Sequence, residues 1–369
     1  MNKSISKHTL EKLLQWFLQV REDYFFRKQR NPYRVWVSEV VLQQTRIQAA
    51  LEPLERFFSH FPDVKSLADA TEEKVVYEFR GLGYYSRARN LRKGAIYITQ
   101  FFDGKLPESY DKLLQIPSIG PYTAAAIASI CFELPYPVCD GNVKRILLRA
   151  NKWSLTTRDP NVDSKCISQL KKLYKGLPAG NVNEAIMELG QKICTRTKPK
   201  CTICPIQDSC KAFAQGVVNK YPLIPKKKPK VDVNWHLFIV VHNNKVLLQK
   251  WNNFYFLKKQ KSFPSILDFP TTKKQECSWE TKKRQINKFI KKYSAKPLPS
   301  LKHSITKHRI VIFPYIIFSS CWEEVKNSNS LVWVSEQQAE KQLVSSALSK
   351  IWKLYQQSEI LESSHDKNT

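Results

Sequence analysis

The sequence has no long apolar run. None of its hydrophobic stretches approaches the roughly 18 residues of a membrane span, and the longest, residues 310–318, is interrupted by Pro314. The first twenty residues mix Lys, His and Glu with apolar positions, which fits neither a secretory signal nor a transit peptide. We therefore expect no membrane association and a cytoplasmic location.

Acidic residues are also scarce. The chain has 32 Asp and Glu against 60 Lys and Arg, a net charge of +28. Both halves of the chain are basic, so the excess is not a single charged tail. A polyanion such as nucleic acid is the favoured partner, and a Lys-rich genome composition is the alternative. With 42% hydrophobic residues among 369, wholesale disorder is excluded.

The apolar pattern divides the chain into regions. Residues 1–220 show helical spacing with short Gly/Pro breaks, which predicts a mostly α region. Residues 221–234 hold three prolines and four lysines and predict an extended basic linker. Residues 235–357 predict a smaller α+β domain, and residues 358–369 a polar tail.

Strand signals are confined to the second region. A hairpin is predicted over residues 235–250 around the turn Asn243-Asn244, because Asn tolerates positive φ. Further strands are predicted near residues 309–319 and 330–334, followed by a closing helix near 343–354.

Four of the nine cysteines cluster as C-x6-C-x2-C-x5-C at Cys194, Cys201, Cys204 and Cys210. The scattered ones, Cys131, Cys139, Cys166, Cys277 and Cys321, are expected to be reduced, because nothing indicates secretion. A structural zinc site usually pairs two close hooks, whereas this loop has one. The compact spacing favours a [4Fe–4S] cluster over zinc.

Residues 114–127, LQIPSIGPYTAAAI, predict two helices joined by a tight hairpin. Gly120 allows close backbone approach, and the amides that begin the second helix can bind a DNA phosphate without reading sequence. An ordinary helical hairpin is the alternative interpretation.

Two carboxylates occupy unusual positions. Glu39 lies on a strongly apolar helix, VWVSEVVLQQT, where desolvation would raise its pKa and suit it as a general acid. Asp140 precedes the helical run GNVKR; most such residues are N-caps, but this one can also stabilise a developing cation. One protonated and one ionised carboxyl group are what cleavage of a glycosidic bond requires.

With these residues in hand, the chain resembles MutY-type adenine DNA glycosylases of the helix-hairpin-helix superfamily over most of its length. The matching motifs are SEVVLQQT (38–45), GLGYYSRARN (81–90), IPSIGPYTAAAIAS (116–129), DGNVKR (140–145), NEAIMELG (183–190) and CTRTKPKCTICPIQDSC (194–210). The resemblance implies a helix-hairpin-helix region with a [4Fe–4S] loop and a smaller Nudix-like C-terminal domain. It implies base-excision repair of adenine mispaired with 8-oxoguanine or guanine in double-stranded DNA, by a monomer associated with the nucleoid.

The resemblance also assigns roles. Glu39 matches the acid that protonates adenine N7 and later helps water attack, and Asp140 the carboxylate that stabilises the sugar oxocarbenium ion. Asn142 and Glu184 resemble residues that position Asp140 and the water. The remaining matches line the substrate: Arg27 and Tyr122 around the extruded adenine, and Gln44, Thr45 and Tyr84, the last as a stacking wedge, at the lesion-bearing strand.

Tyr122 separates two hypotheses. Endonuclease III-like enzymes, which act on oxidised pyrimidines and cleave the strand, carry a lysine at this position, and a phenol cannot form a Schiff base. We therefore predict a monofunctional glycosylase; the bifunctional glycosylase and lyase is the alternative. A non-catalytic DNA-binding protein on the same scaffold is a third hypothesis.

The sequence departs from the family in three places, one of which is the Gly-Leu-Trp/Phe-Pro stretch of the second domain, replaced by FYFLKKQKSFP at residues 254–264. The usual Leu-Pro-Trp-Arg stretch is replaced by residues 24–27, YFFR, which keep the arginine. The lesion-sensing Phe-Ser-His loop is matched by Ile305-Thr306-Lys307, where Thr306 keeps a hydroxyl for the oxidised base. A Lys-rich segment stands where a Nudix hydrolase needs a Glu-rich metal helix, so nucleotide hydrolysis is not expected.

Overall fold

The chain folds into two compact units, Met1–Lys226 and Lys227–Thr369. The structure is a computed structural model. It describes residues 4–28, 30–43, 45–224, 229–251, 260–268, 284, 286–305, 308–318, 330–343 and 345–365. Gln44 and Thr306, both predicted to contact the lesion strand, lie outside these residues. In the described parts, no helix is long and apolar enough to cross a membrane.

The first unit is helical. Its α-helices are α1 (Lys7–Val20), α2 (Pro32–Leu42), α3 (Ile47–His60), α4 (Val64–Asp69), α5 (Glu72–Glu78), α6 (Ser86–Phe101), α7 (Tyr110–Leu113), α8 (Pro121–Phe132), α9 (Gly141–Asn151), α10 (Val162–Leu173), α11 (Ala179–Lys192) and α12 (Lys211–Ala214). Short 3₁₀ segments occupy Cys201–Ile203, Gln207–Ser209 and Val218–Lys220. The prediction of a mostly α region is confirmed.

A buried tryptophan fixes α2 against the predicted hairpin. Trp36 is fully buried, and its indole Nε1 donates to Ser118 Oγ at 3.0 Å. Gly94 of α6 packs directly on its ring, since a Cβ there would lie 2.7 Å from Trp36 Cζ2 and 2.5 Å from the Pro117 carbonyl oxygen. The first helix of the hairpin, α7, has only four residues, whereas α8 begins at Pro121 as predicted.

A buried amide orders the segment that leads into α9. Asn183 is fully buried on α11, and its Oδ1 accepts from the Val138 amide at 2.9 Å and from the Tyr174 hydroxyl at 2.6 Å. Its Nδ2 donates to Ser129 Oγ and to the Tyr136 carbonyl. Each polar atom of the Asn183 side chain thus has two hydrogen-bond partners. The network connects α8, α11 and the end of α10 to residues 136–138, immediately before Asp140.

The second unit is a mixed sheet with helices. Its elements are β1 (Val231–His242), β2 (Lys245–Trp251), β3 (Gln260–Ser262), β4 (Ser265–Asp268), α13 (residues 286–292), β5 (Lys296–Pro297), β6 (Leu301–Ile305), β7 (His308–Phe318), β8 (Leu331–Ser335), α14 (Glu336–Gln342) and α15 (Ser346–His365). The sheet order is β3-β2-β1-β7-β5, with β4 on β1, β6 on β7 and β8 on β2. The predicted hairpin forms as β1 and β2, with Asn243 and Asn244 at φ 47° and 56°.

The long strands β1 and β7 run parallel and bury both faces of the sheet. Alternate residues of β1 point to opposite sides: Trp235 and Ile239 pack with Trp352 of α15, and Phe238 and Val240 join the core that contacts Phe289 of α13. The smaller α+β domain is confirmed. Its Nudix-like character stays a prediction.

Two boundaries differ from the sequence prediction. The last residues of the predicted linker 221–234 belong to a strand, because β1 begins at Val231. Its first residues contact the first unit, where the Leu223 amide donates to the Leu155 carbonyl at 3.1 Å. The predicted tail 358–369 is helical as far as His365 in α15. Prolines and charged residues do not prevent regular pairing when a neighbouring backbone supplies the hydrogen bonds.

Candidate active site

Glu39 is the centre of the site. It lies on α2, which Asn31 caps by accepting from the Tyr33 amide at 2.9 Å, and its neighbours Val37, Val40 and Val41 are buried. The Tyr122 hydroxyl of α8 donates to Glu39 Oε2 at 2.6 Å. Burial raises the pKa of Glu39, and the hydrogen bond from Tyr122 opposes that shift. The predicted desolvation is confirmed, so the acid form persists to higher pH than in an exposed glutamate.

Asp140 caps α9 and is held at both oxygens. Its Oδ1 accepts from the amides of Asn142 at 2.9 Å and Val143 at 2.8 Å, and its Oδ2 accepts from Asn142 Nδ2 at 2.8 Å. Asp140 is therefore the N-cap of α9, as its sequence position predicted. Burial raises the pKa of Asp140, and these donors oppose the rise by stabilising the ionised form. Three donors therefore hold the carboxyl group of Asp140 in one orientation.

Both carboxyl groups affect the pKa of Tyr122. Its pKa is raised well above the usual value, first by burial and then by the charges of Glu39 and Asp140. The phenol therefore stays neutral and acts as a donor. Asp140, Arg27 and Glu184 also influence the pKa of Glu39. The fold thus brings together residues from α2, α8, α9, α11 and the segment before α2 that are far apart in sequence.

A cavity of about 160 Å³ is lined in part by Arg27 and Glu184, the two residues that also influence the pKa of Glu39. Arg27 and Arg30 line it beside Glu184, with Phe17 and residues 21–23 and 28 completing the wall. The Arg27 side chain lies 3.5 Å from Glu184 Oε1 and stacks 5.3 Å from the Tyr24 ring centre. Burial raises the pKa of Glu184, and Arg27 and Arg30 oppose that shift. A charged wall that includes the aromatic ring of Phe17 suits a planar polar base.

Tyr84 lies in the loop between α5 and α6, next to the C-terminal end of α2. Its backbone has φ 48° and its side chain is 52% exposed. Its role as a stacking wedge stays a prediction. Arg87 holds this loop to α2 by donating to the carbonyl groups of Val40, Val41, Gln43, Leu82 and Gly83. Thr45 follows α2 and is partly exposed, with its amide donating to the Leu42 carbonyl at 3.3 Å. Its contact with the lesion strand stays a prediction.

All four clustered cysteines line one cavity next to α9. Cys194, Cys201, Cys204 and Cys210 share it with apolar side chains from α9 and α11. Arg149 is buried there, and its Nη1 lies 3.3 Å from Cys194 Sγ. Four cysteine sulfurs around an apolar cavity, with an N–H donor to one of them, fit the ligand set of a [4Fe–4S] cluster.

Arg145 connects this loop to Asn142, the side-chain partner of Asp140, a link that the sequence analysis missed. Its Nε donates to the Cys194 carbonyl at 2.7 Å, and its Nη2 donates to Asn142 Oδ1 at 2.8 Å and to the Gly190 carbonyl at 2.7 Å. Gly190 must lack a side chain, since a Cβ there would lie 2.5 Å from Asn142 Cβ. The loop thereby orients Asn142, which in turn holds Asp140.

We expect Arg145→Met to slow base release about tenfold or more, because a charge-assisted hydrogen bond of roughly 1.5–3 kcal/mol no longer holds Asn142. Single-turnover rates under enzyme excess measure the effect. Lys144→Met is the control, because Lys144 pairs with Asp163 instead and does not contact Asn142. Equal losses in the two variants would contradict a specific role for Arg145.

Comparison with known proteins identifies the same regions. Residues 37–172 match the family model of the HhH-GPD superfamily base excision DNA repair protein, and residues 194–210 match the iron-sulfur binding domain of endonuclease III. The protein carries a [4Fe–4S] cluster in the second of these regions. Among solved structures, a thermostable thymine-DNA glycosylase aligns with a TM-score of 0.52 at 22% identity, over 57% of this chain and 96% of that chain. That likeness shows the fold.

Two curated relatives match over lengths that reach into the second unit. The adenine DNA glycosylase of Buchnera aphidicola subsp. Acyrthosiphon pisum is 35% identical over 281 residues, 74% of this chain and 77% of that protein. Its counterpart from Buchnera aphidicola subsp. Baizongia pistaciae is 31% identical and covers 87% of this chain and 89% of its own. The Homo sapiens adenine DNA glycosylase is 36% identical over 209 residues, 54% of this chain.

Proposed function

The chain belongs to the adenine DNA glycosylase family, and on that premise we propose that Glu39 and Asp140 cleave the N-glycosidic bond of adenine mispaired with 8-oxoguanine or guanine. The protein is a DNA N-glycosylase of base-excision repair, and its substrate is DNA. One observation carries the assignment of residues: a Glu39 of raised pKa, hydrogen-bonded to Tyr122, shares one site with an Asp140 fixed at both oxygens.

The reaction begins with adenine leaving the base stack, because its N7 cannot be reached inside the duplex. Tyr122 donates to Glu39 Oε2, so the proton of the acid form resides on Oε1. Glu39 transfers this proton to N7, which makes adenine a neutral leaving group. Arg27 and Glu184, in the wall of the adjoining cavity, support the extruded base.

Bond cleavage places positive charge on the sugar. The Asp140 carboxylate stabilises this oxocarbenium ion, and the α9 amides and Asn142 keep it oriented without rearrangement. Water then adds at C1′, and the Glu39 carboxylate accepts its proton, which restores the acid. Asn142 and Glu184 position the water. The [4Fe–4S] cluster, when bound, supplies a rigid fold for the loop that Arg145 contacts.

The second unit is proposed to recognise the oxidised base opposite adenine, through a Nudix-like fold and Thr306. Its support is the family resemblance, together with relatives that match into this unit. We also propose that the enzyme acts as a monomer and that it works on the nucleoid.

Single-turnover assays on duplexes with adenine opposite 8-oxoguanine, guanine or thymine test the activity. We expect adenine release from the first two duplexes, and strand cleavage only after alkali, because Tyr122 provides no amine for a Schiff base. Cleavage without alkali would favour the bifunctional lyase. Binding without any base release would favour the non-catalytic hypothesis.

A further inference from the structure

One face of α11 carries a polar stripe that contacts the segment before α2. The stripe consists of Asn181, Glu184, Glu188 and Lys192, spaced by three or four residues and therefore aligned along one side of the helix. The side chains between them, such as Val182, Ala185 and Leu189, are buried and apolar. Only Glu184 among the four is accounted for by the catalytic site.

Each member of the stripe meets a charge from residues 20–30. Arg30 pairs with Asn181 and lies 3.9 Å from Glu184. Arg27 lies 3.5 Å from Glu184 Oε1 and 3.5 Å from Glu188 Oε2. Lys192 Nζ lies 2.9 Å from Glu188 Oε1. Basic and acidic side chains therefore alternate along this contact.

Lys192 is the anchor at one end of the stripe. Besides Glu188, its ammonium donates to the Val20 carbonyl at 2.8 Å and lies 3.0 Å from Glu22 Oε1. Burial opposes its charge, yet the hydrogen bonds to Glu188 and Glu22 raise the pKa of Lys192. All three donor positions of the ammonium are used, and two of them hold residues 20–22.

Glu188 is the most deeply buried charged member of the stripe, with its side chain 1% exposed against 10% for Glu184. A buried carboxylate requires its cations, so both Arg27 and Lys192 are held close to it. The consequence for the pocket is direct, because Arg27, Glu22 and Arg30 line the cavity beside Glu184. Among the described residues, Glu188 and Lys192 have no hydrogen bond or ion pair with Glu39 or Asp140. These two residues therefore act on the pocket wall and not on the bond being broken.

We infer that Glu188 and Lys192 are positioning residues of the base pocket, holding Arg27 and residues 20–24 so that the extruded adenine is bound tightly. This inference rests on the proposed function only in naming adenine as the occupant. The arrangement of the wall itself is independent of that assignment.

Lys192→Met tests the inference in the full-length enzyme. We expect the enzyme concentration for half-maximal single-turnover rate to rise about tenfold while the maximal rate stays within about twofold, since the pocket wall serves binding. Lys192→Arg keeps the charge and should restore most of the binding. Lys172→Met, an exposed lysine of α10, is the matched control and should behave as wild type.

Amide hydrogen exchange of residues 20–30, without DNA, separates this inference from the proposed function. We expect exchange there to accelerate about tenfold or more in Lys192→Met and to stay near wild type in Lys192→Arg and Lys172→Met. If Lys192→Met fails to fold, Glu22→Gln removes a partly exposed partner of Lys192. Hydrogen exchange in residues 20–30 should then accelerate by a smaller factor. Unchanged exchange would overturn the inference whether or not adenine is released, and so would a loss confined to the maximal rate.

Discussion

Glu39→Gln is expected to reduce adenine release about 10²–10⁴-fold, the usual contribution of a general acid, while duplex affinity changes by less than about threefold. Glutamine has nearly the same shape and can still accept from the Tyr122 hydroxyl, so the pocket should remain intact. It has no acidic proton for adenine N7. Single-turnover rates and equilibrium binding to the same mismatched duplex measure both quantities.

Glu78→Gln is the control for this variant, because Glu78 is another buried glutamate, paired with Arg56 and Arg80 of the same unit but outside the site. It should lower thermal stability and leave the saturated rate unchanged. The wild-type rate should fall as pH rises through the pKa of Glu39, at a higher pH than the value of about 4.3 for an exposed glutamate. A Glu39→Gln enzyme that keeps this fall would show that another group is the acid.

Asp140→Asn is expected to slow base release about 10²–10³-fold, comparable to the loss of one electrostatic contact to a transition state. Asparagine is as good an N-cap as aspartate, so α9 should persist. The charge opposite the oxocarbenium ion is lost, however. The new amide would also face Asn142 Nδ2, a second donor, where Oδ2 now accepts.

Asp63→Asn provides the matched comparison. Asp63 caps α4 by accepting from the Ser66 amide at 2.8 Å and lies on the surface, so it tests the same chemical change at a helix start without the catalytic role. It should release adenine at the wild-type rate. Similar losses in the two variants would mean that Asp140 serves α9 alone, and the assignment of the cation-stabilising carboxylate would be wrong.

The sequence alone determined the features that depend on neighbouring residues. Cysteine spacing in residues 194–210 indicated the cluster, the apolar run around Glu39 predicted its desolvation, and Asn243-Asn244 predicted the hairpin. Each of these signals lies within about twenty residues, where the local backbone dictates which groups can meet. The predicted ends of the linker and tail were less accurate, because strand pairing and helix extension depend on distant partners.

Only the tertiary structure decided how these pieces act together. Tyr122 meets Glu39 across 83 positions, Arg145 reaches Cys194 across 49, and Lys192 reaches Val20 across 172. A lone Lys192 or Glu188 in a sequence is indistinguishable from a solvated surface charge. Burial and the position of the opposite charge give such residues their roles, and both arise only when helices distant in sequence pack against each other.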